Sequence, residues 1–401
     1  MKPTLFGYGL TTRAIAKRLG GGCTFFDDKT TTPYQDAEQN TILPSHLFDP
    51  EASDLEVTTP SLPPHHPLIT TARHLQSEYD YFAACMPFSI WISGTNGKTT
   101  TTQMLTHLLE KRGAVNGGNI GTPLAELDSS KAIWILESSS FTLHHTHIAS
   151  PNIYLLLPIT PDHLDWHKTP EQYEADKLRP LRSMREGELA LIPKGLTLPH
   201  TDAFVVEYDS TAFLESYFDL DATQIAFKGA FLEDALLSLA ITKVLFDEVD
   251  YAKINTFVKD AHRQEELRDL HQRLWVNDSK ATNLDATLQA LRGYKEYYIR
   301  LIVGGEDKGV DLSPLFALMQ TLHITIYTIG KNSHTLHTLA KQYQIDSCEC
   351  QTMEAAVKAI DRAFQAEDIA LLSPAGASFD QFDSYKHRGD TFKRLVKSLK
   401  K

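Results

Sequence analysis

The chain has 401 residues, with 39 Lys plus Arg against 51 Asp plus Glu, a formal charge of −12. At about 150 residues per domain the length corresponds to two to four domains. The acidic balance argues against a dedicated nucleic-acid binder, which needs many basic contacts to phosphate. A composition of 42% hydrophobic and 22% charged residues excludes a disordered chain.

The first segment reads as strand, glycine turn, helix and strand: Leu5-Phe6, Gly7-Tyr8-Gly9, Thr11–Leu19, then Cys23–Phe26 ending at Asp27-Asp28-Lys29. Such a βα unit can hold an anion at the helix N-terminus. Only Gly-x-Gly of the dinucleotide fingerprint is present, so a plain crossover fits equally. Thr58–Pro67, with four prolines, reads as irregular chain, and a domain boundary is expected near residues 80–87. Phe88–Ile92 is a short buried strand, followed by Ser93–Thr100 and an amphipathic helix to about Arg112. Ile133–Leu136 and Ile153–Leu156 are further core strands. Thr169-Pro170-Glu171-Gln172 combines an N-cap, a proline at the first helical position and Gln three residues after the cap, and predicts a helix to about Arg179. From residue 262 strands at Leu274–Val276, Tyr298–Val303, Ile324–Ile329 and Ile369–Leu372 alternate with helices, the last at Thr391–Leu399. This alternation predicts an α/β protein with mostly parallel sheets.

No run of about 18 apolar residues provides a transmembrane helix, and the opening residues reach Gly7 too early for the apolar core of a signal peptide. Four cysteines (Cys23, Cys85, Cys348, Cys350) cannot form a disulfide framework; reduced thiols and a cytoplasmic location are expected. Cys348 and Cys350 are expected on opposite faces of a strand.

Gly94-Thr95-Asn96-Gly97-Lys98-Thr99-Thr100, between a strand and a helix, has the context of a phosphate-binding loop. Backbone N–H groups and the helix dipole would hold phosphate, Lys98 would neutralise it, and Thr99 or Thr100 could reach Mg²⁺. The full pattern asks for Gly at position 92, where this chain has Ile92. Glu137, at the end of a strand beside the loop, suits a Mg²⁺ ligand as well as a solvated strand end. In Asp162-His163-Leu164-Asp165-Trp166-His167, Asp162 and His163 could serve a metal or phosphate, while Asp165 and His167 fit the surface equally. His144, His145 and His147 are taken as solvated histidines, and Lys177 on composition alone as an exposed helical lysine.

Together these segments resemble the Mur ligase family of ATP-dependent amino-acid ligases. The resemblance is carried by Gly94–Thr100, Gly118-Asn119-Ile120-Gly121-x-Pro123, Glu137-Ser138-Ser139-Ser140-Phe141, Asp162-His163-x-Asp165, His262-Arg263 and Asn277–Asn283. Gly304-Gly305-Glu306-Asp307-Lys308 and Ser373–Phe382 narrow it to the D-glutamate-adding branch. The resemblance implies three α/β domains: residues 1–84, Rossmann-like, for a UDP substrate; 85–261, a P-loop ATPase-type parallel sheet; and 262–401, Rossmann-like, for the amino acid. The implied activity joins D-glutamate to UDP-N-acetylmuramoyl-L-alanine through an acyl phosphate, with ATP and two Mg²⁺ ions. The implied partners are these small molecules, with no nucleic acid or membrane, and a monomer is expected.

The resemblance also implies residue roles. Gly94–Thr100, Arg263 and Asp278 would bind ATP. Thr99, Glu137, His163 and a carbamylated Lys177 would serve the metal ions, and Lys98, Glu137, His163 and Lys177 would carry catalysis. Leu10, Thr11, Asp27, Asp28, Lys29 and Asn119 would hold the UDP substrate. Thr282, Lys308, Ser378, Phe379 and Tyr385 would form the D-glutamate site, with Ser378 near a helix start. His163 is a candidate for the base that deprotonates the amine. Closure of the third domain over the second is expected, to keep water from the acyl phosphate. The chain departs from the family at Gly229–Asp234, which lacks the usual His and Asn residues, and at Thr142, where Gln is frequent. The first domain keeps little of the usual sequence. Other Mur-type or folate polyglutamate ligases, and a regulatory P-loop ATPase, are the competing readings.

Overall fold

The computed structural model describes residues 2–306 and 310–399. Among them the strands form three six-stranded sheets. The first contains β1 (Thr4–Phe6), β2 (Thr24–Asp27), β3 (Tyr34–Gln35), β4 (Thr41–Pro44), β5 (Glu56–Thr58) and β6 (Leu75–Gln76), in the order β3-β4-β2-β1-β5-β6. It is parallel except where β3 meets β4. The second contains β7 (Phe88–Ser93), β8 (Ala114–Gly118), β9 (Ile133–Glu137), β10 (Ile153–Leu156), β11 (Leu189–Pro193) and β12 (Phe204–Tyr208). Its order is β12-β11-β10-β7-β9-β8 and every pair is parallel. The third contains β13 (Glu265–Arg268), β14 (Leu274–Asn277), β15 (Tyr298–Gly304), β16 (Ile324–Ile329), β17 (Asp346–Gln351) and β18 (Asp368–Leu372). Its order is β13-β14-β18-β15-β16-β17, antiparallel only at the β13 edge.

Parallel strands connected by helices are covered on both faces, so they are apolar along their whole length. β9 and β10 are buried at every residue. Residues 1–226 and 234–256 form one compact unit, which holds the first two sheets. One core runs through it, from Leu5, Phe25 and Val57 to Tyr79, Trp91, Trp134 and Leu143. Residues 227–233 and 257–401 form the second unit. Its sheet separates two cores, with Val276, Leu301 and Phe316 on one face and Trp275, Ile302 and Phe392 on the other.

The strands expected from apolar runs occur within a residue of their expected ends, and Thr169 caps the helix Pro170–Leu178 through Gln172 N. Three local expectations are corrected. The last helix is Tyr385–Lys397, capped by Ser384, rather than Thr391–Leu399. Gly389 masks its first turns in the sequence; a Cβ there would lie 2.2 Å from His262 Nδ1, so close packing requires the glycine. Ser378 sits in a turn that accepts the amides of Gln381 and Phe382, six residues before that helix's cap, and not at a helix start. Cys348 and Cys350 share a face of β17 with their sulfurs 3.5 Å apart, because residues i and i+2 of a strand point the same way.

Candidate active site

Three adjacent central strands of the second sheet, β10, β7 and β9, deliver the candidate residues at their carboxyl ends, where open α/β sheets bind ligands. β7 leads into the Gly94–Gly97 loop and the helix Lys98–Leu109. Gly94 has φ +143° and Gly97 φ +81°, both outside the range L side chains adopt readily. A Cβ on Gly94 would stand 2.5 Å from Leu157 Cβ, and one on Gly97 2.8 Å from Asp234 Oδ1. Thr95 Oγ1 donates to Thr160 O at 2.8 Å and accepts from Thr160 N at 2.9 Å, pinning the loop to the chain leaving β10. Lys98 Nζ donates to Gly94 O and Thr95 O at 2.9 and 2.8 Å, inside the concavity of the loop. Asn96, Thr99 and Thr100 complete the loop and the first helical turn.

Glu137 ends β9 and is buried, which removes the solvated strand-end reading. Its Oε1 accepts from Asn119 Nδ2 at 2.7 Å, and Asn119 N donates to Glu137 O. Asn119 is therefore held against the carboxylate. Glu137 Oε2 is buried with no hydrogen-bond partner among the described residues. A buried unpartnered carboxylate oxygen is costly unless something cationic meets it. Mg²⁺ favours such hard oxygens, keeps several waters and shares phosphate oxygens, so Glu137 and the Thr99 hydroxyl fit it. Among the described residues no three His, Cys, Asp or Glu converge as a protein-only cage.

Lys177, which composition alone would leave on the surface, is only 1% exposed. Its Nζ donates to Gly94 O at 2.8 Å and to Ser93 Oγ at 3.3 Å, so it lies beneath the phosphate loop. Burial first, then the charge of Lys98, hold its ammonium well below the usual lysine range, against the opposing pull of Asp162, Asp176 and Glu137. His163 caps the short helix Leu164–His167 in the left-handed region, φ +54°, and its half-exposed side chain packs on Phe141. Asp165 is exposed, but His167 is fully buried between Asp176 and Ser140. The histidine cluster is likewise corrected. His145 is buried against Leu62 O and His144 lies 2.9 Å from Asp176; only His147 is exposed. The Asp176 carboxyl stays well below the usual range: burial would raise it, but bonds from His144, His167 and Arg179 outweigh that.

In the first sheet a cavity of about 610 Å³ is lined by Gly7, Gly9, Asp27, Asp28, Lys29 and neighbouring residues. Tyr8 N donates to Asp27 Oδ2 and His66 Nε2 meets Asp28 Oδ2, both at the carboxyl end of β2. Leu10 is exposed at the start of the helix Leu10–Arg18 and lines a separate depression with Arg13 and Lys17, while Thr11 lies beside it on the same first turn.

In the second unit Asp278 is buried after β14, bonded to Ser373 Oγ and Gln264 N, and burial pushes its carboxyl up to about 7 despite nearby Arg263 and Lys259. Arg388 is buried and donates to Ser279 O, Gly376 O and Ala377 O. It thereby ties the Asn277–Asn283 and Ser373–Phe382 segments together. Ser378 is buried, Phe379 is 72% exposed, Tyr385 packs against His262 and beneath the Lys280 ammonium, and Thr282 follows Ala281 in the same segment. Lys308 lies outside the described residues. Sequence patterns do not single out Arg388 or Asp176, and they leave His167 and Asp234, which accepts from Thr101 Oγ1, without a role. Asp234 and Thr101 lie 133 residues apart, and Arg388 and Ser279 lie 109 apart, so no local spacing marks those pairs.

Comparisons with known proteins identify the family. The sequence matches the Mur ligase middle domain over residues 92–201 and the Mur ligase glutamate ligase domain over residues 262–376. It is 48% identical to the UDP-N-acetylmuramoylalanine–D-glutamate ligase of Campylobacter jejuni over 100% of both chains. It is 42% identical to that of Helicobacter pylori over 99% of both. The fold resembles MurF ligase from Thermotoga maritima, solved with ADP, at TM-score 0.58 and 14% identity over 98% of this chain and 97% of that one. It resembles MurC of the same organism at TM-score 0.58 and 15% identity over 98% of each. The chain belongs to the Mur ligase family and, within it, to the UDP-N-acetylmuramoylalanine–D-glutamate ligases.

Proposed function

We infer that the chain joins D-glutamate to UDP-N-acetylmuramoyl-L-alanine at the expense of ATP, in peptidoglycan precursor synthesis. The observation that carries this is full-length identity of 48% and 42% to ligases of that name, supported by a phosphate loop beside Glu137, whose buried Oε2 has no partner among the described residues. A carboxylate does not condense with an amine at neutral pH, since oxide cannot leave. Transfer of the ATP γ-phosphoryl group to the substrate carboxylate gives an acyl phosphate and ADP. The D-glutamate amine then attacks the acyl carbon, and phosphate leaves with the carboxylate oxygen.

In this reading the Gly94–Thr100 backbone N–H groups hold the phosphates, and Lys98 Nζ turns from the Gly94 and Thr95 carbonyls onto the γ-phosphate. Glu137 and Thr99, with His163 and Lys177 farther along the site, would hold Mg²⁺; bound there, it would spread the charge of the transferred phosphoryl group. Asn119 fixes the Glu137 carboxylate in place. Lys177, buried and more easily deprotonated than an exposed lysine, is suited to add CO₂ once its proton has left: the neutral amine nitrogen bonds to the carbon, a proton is released, and a carbamate anion results. Arg263 and Asp278 are assigned to ATP. Asp27, Asp28 and Lys29, lining the first sheet's cavity, are assigned with Leu10, Thr11 and Asn119 to the UDP substrate. Thr282, Lys308, Ser378, Phe379 and Tyr385 are assigned to D-glutamate. Divisions near residues 84 and 261 would separate these tasks. A monomer at work in the cytoplasm fits these small-molecule substrates.

The test is phosphate release by the purified chain with ATP, Mg²⁺ and UDP-N-acetylmuramoyl-L-alanine, adding amino acids singly. Release that depends on D-glutamate supports the reading. Release without any amino acid, or only with another one, refutes it.

A further inference from the structure

Ser140 Oγ lies 2.9 Å from His167 Nε2, and His167 Nδ1 lies 2.8 Å from Asp176 Oδ2. A carboxylate only accepts, so Nδ1 donates to it. The order serine, histidine, aspartate is that of a nucleophile with its base and orienting carboxylate. Here, however, Ser140 is 3% exposed and both other side chains are fully buried, so no substrate carbonyl can reach the hydroxyl. The arrangement must act on its own surroundings.

Its three members sit on three different segments. Ser140 follows Glu137 by three residues at the start of the helix Ser140–His144. His167 ends the four-residue helix that His163 caps. Asp176 immediately precedes Lys177 on the helix Pro170–Leu178. The stretch between β10 and Pro170 has little regular structure and turns twice through left-handed backbone, at His163 (φ +54°) and Lys168 (φ +72°). Further ties of this stretch include Thr95 Oγ1 to Thr160 O, a long contact from Trp166 Nε1 to Ser61 O, and the Trp166 ring against His144. Phe141 stacks on His167 with rings 8° from parallel and also touches His163.

We propose that His167 is a positioning residue, a buried strut that fixes the His163 and Lys177 segments in register with Glu137. This rests on the roles proposed above for those three residues. Asp176 is built to anchor the strut, since it also receives bonds from His144, Gln172 and Arg179 and so cannot rotate away from His167 without losing them. Groups that orient metal ligands from behind are worth about 10- to 100-fold in activity or metal affinity.

The test compares Ser140→Ala, Ser140→Thr and His167→Phe with the wild-type full chain. Ser140→Ala removes one bond of the strut and should lower kcat about fivefold, with KM for D-glutamate and the UDP substrate within twofold and the melting temperature little changed. Ser140→Thr keeps the hydroxyl and should restore kcat. His167→Phe should lower kcat by about a hundredfold. A second readout needs no turnover. ATP binding by calorimetry, with Mg²⁺ and with a chelator, should weaken in Ser140→Ala only when Mg²⁺ is present. Normal kcat in Ser140→Ala, or equal weakening with and without Mg²⁺, overturns the strut. A wild-type chain that shows no D-glutamate-dependent turnover overturns the proposed activity instead, and calorimetry then judges the strut alone.

Discussion

Replacing Glu137 by Gln separates a functional carboxylate from a structural one, because the two roles predict opposite signs for stability. The side chain is 3% exposed, Oε1 accepts from Asn119, and Oε2 is buried without a partner among the described residues. Glutamine is nearly isosteric and its oxygen can keep the Asn119 bond. What it removes is a buried negative charge on an unsatisfied oxygen, a group that costs about 1–3 kcal/mol to bury. The amide that replaces it is also buried unsatisfied, but neutral, so the variant should be at least as stable as wild type and gain up to about 1 kcal/mol. For a unit of this size that is roughly 2–4 °C in Tm. Activity should move the other way. Losing one preorganised electrostatic group at a phosphoryl-transfer site costs about 10²–10³ in kcat, or about 3–4 kcal/mol of transition-state stabilisation. The assay is D-glutamate-dependent phosphate release at saturating ATP and Mg²⁺, paired with thermal melting of the ligand-free chain. A variant that melts several degrees lower, or turns over within threefold of wild type, would falsify the assignment of Glu137 to the metal.

Lys177→Ala should abolish turnover, and short carboxylic acids diffusing into the vacated space should restore part of it; full activity without them would remove the carbamate from the mechanism. Gly97→Ala must place a non-glycine residue at φ +81° and a methyl 2.8 Å from Asp234 Oδ1 and 2.9 Å from Leu157 Cδ1. It should cost about 2–4 kcal/mol in stability and raise KM for ATP, and an unchanged KM would contradict the loop's role. His145 is buried and, chiefly through burial, its pKa is lowered to about 4 from an unfolded value of about 6.5. The unfolded chain binds that proton more readily. The stability from this group is therefore present above about pH 6.5 and is lost as pH falls toward 4, by about 3 kcal/mol in all. His145→Gln can keep a donor for Leu62 O without titrating. Urea unfolding should show a shallower acid slope for it than for wild type, and equal slopes would refute the assignment.

The apolar strands were legible because two-sided burial writes itself into sequence as Val, Ile and Leu runs; β10 falls on the expected residues, Ile153–Leu156. β13, Glu-Glu-Leu-Arg, was not, and β17 was met only as a strand holding Cys348 and Cys350, because edge strands face water and carry no such run. The phosphate loop was legible because its glycines answer local demands, positive φ and close approach. The buried ionisable groups were not. Neighbouring charges such as Asp176 and Lys177 look like a solvated helix face until partners 32 and 83 residues away, His144 and Gly94, are brought against them.

Net charge was the least informative feature of all, and the phosphate loop shows why. Two lysines from different helices both donate to the carbonyl of Gly94, Lys98 at 2.9 Å and Lys177 at 2.8 Å. In a count over the chain they are equal contributions to the positive side of −12. Burial makes them unequal. Lys98 keeps partial contact with solvent, while Lys177 is 1% exposed and loses its proton more readily, pushed by burial and by the Lys98 charge itself. The same carbonyl thus brings together a cation suited to phosphate and an amine suited to attack carbon dioxide. The Lys98 charge favours the neutral form of its neighbour, the one able to attack carbon. A carbamate formed on Lys177 would then reverse the sign of the interaction, turning a repelling pair into an attracting one beside the Glu137 carboxylate. The Asp162, Asp176 and Glu137 carboxylates, which favour the ammonium, would oppose the carbamate, and no sum over 401 residues reveals these local contributions.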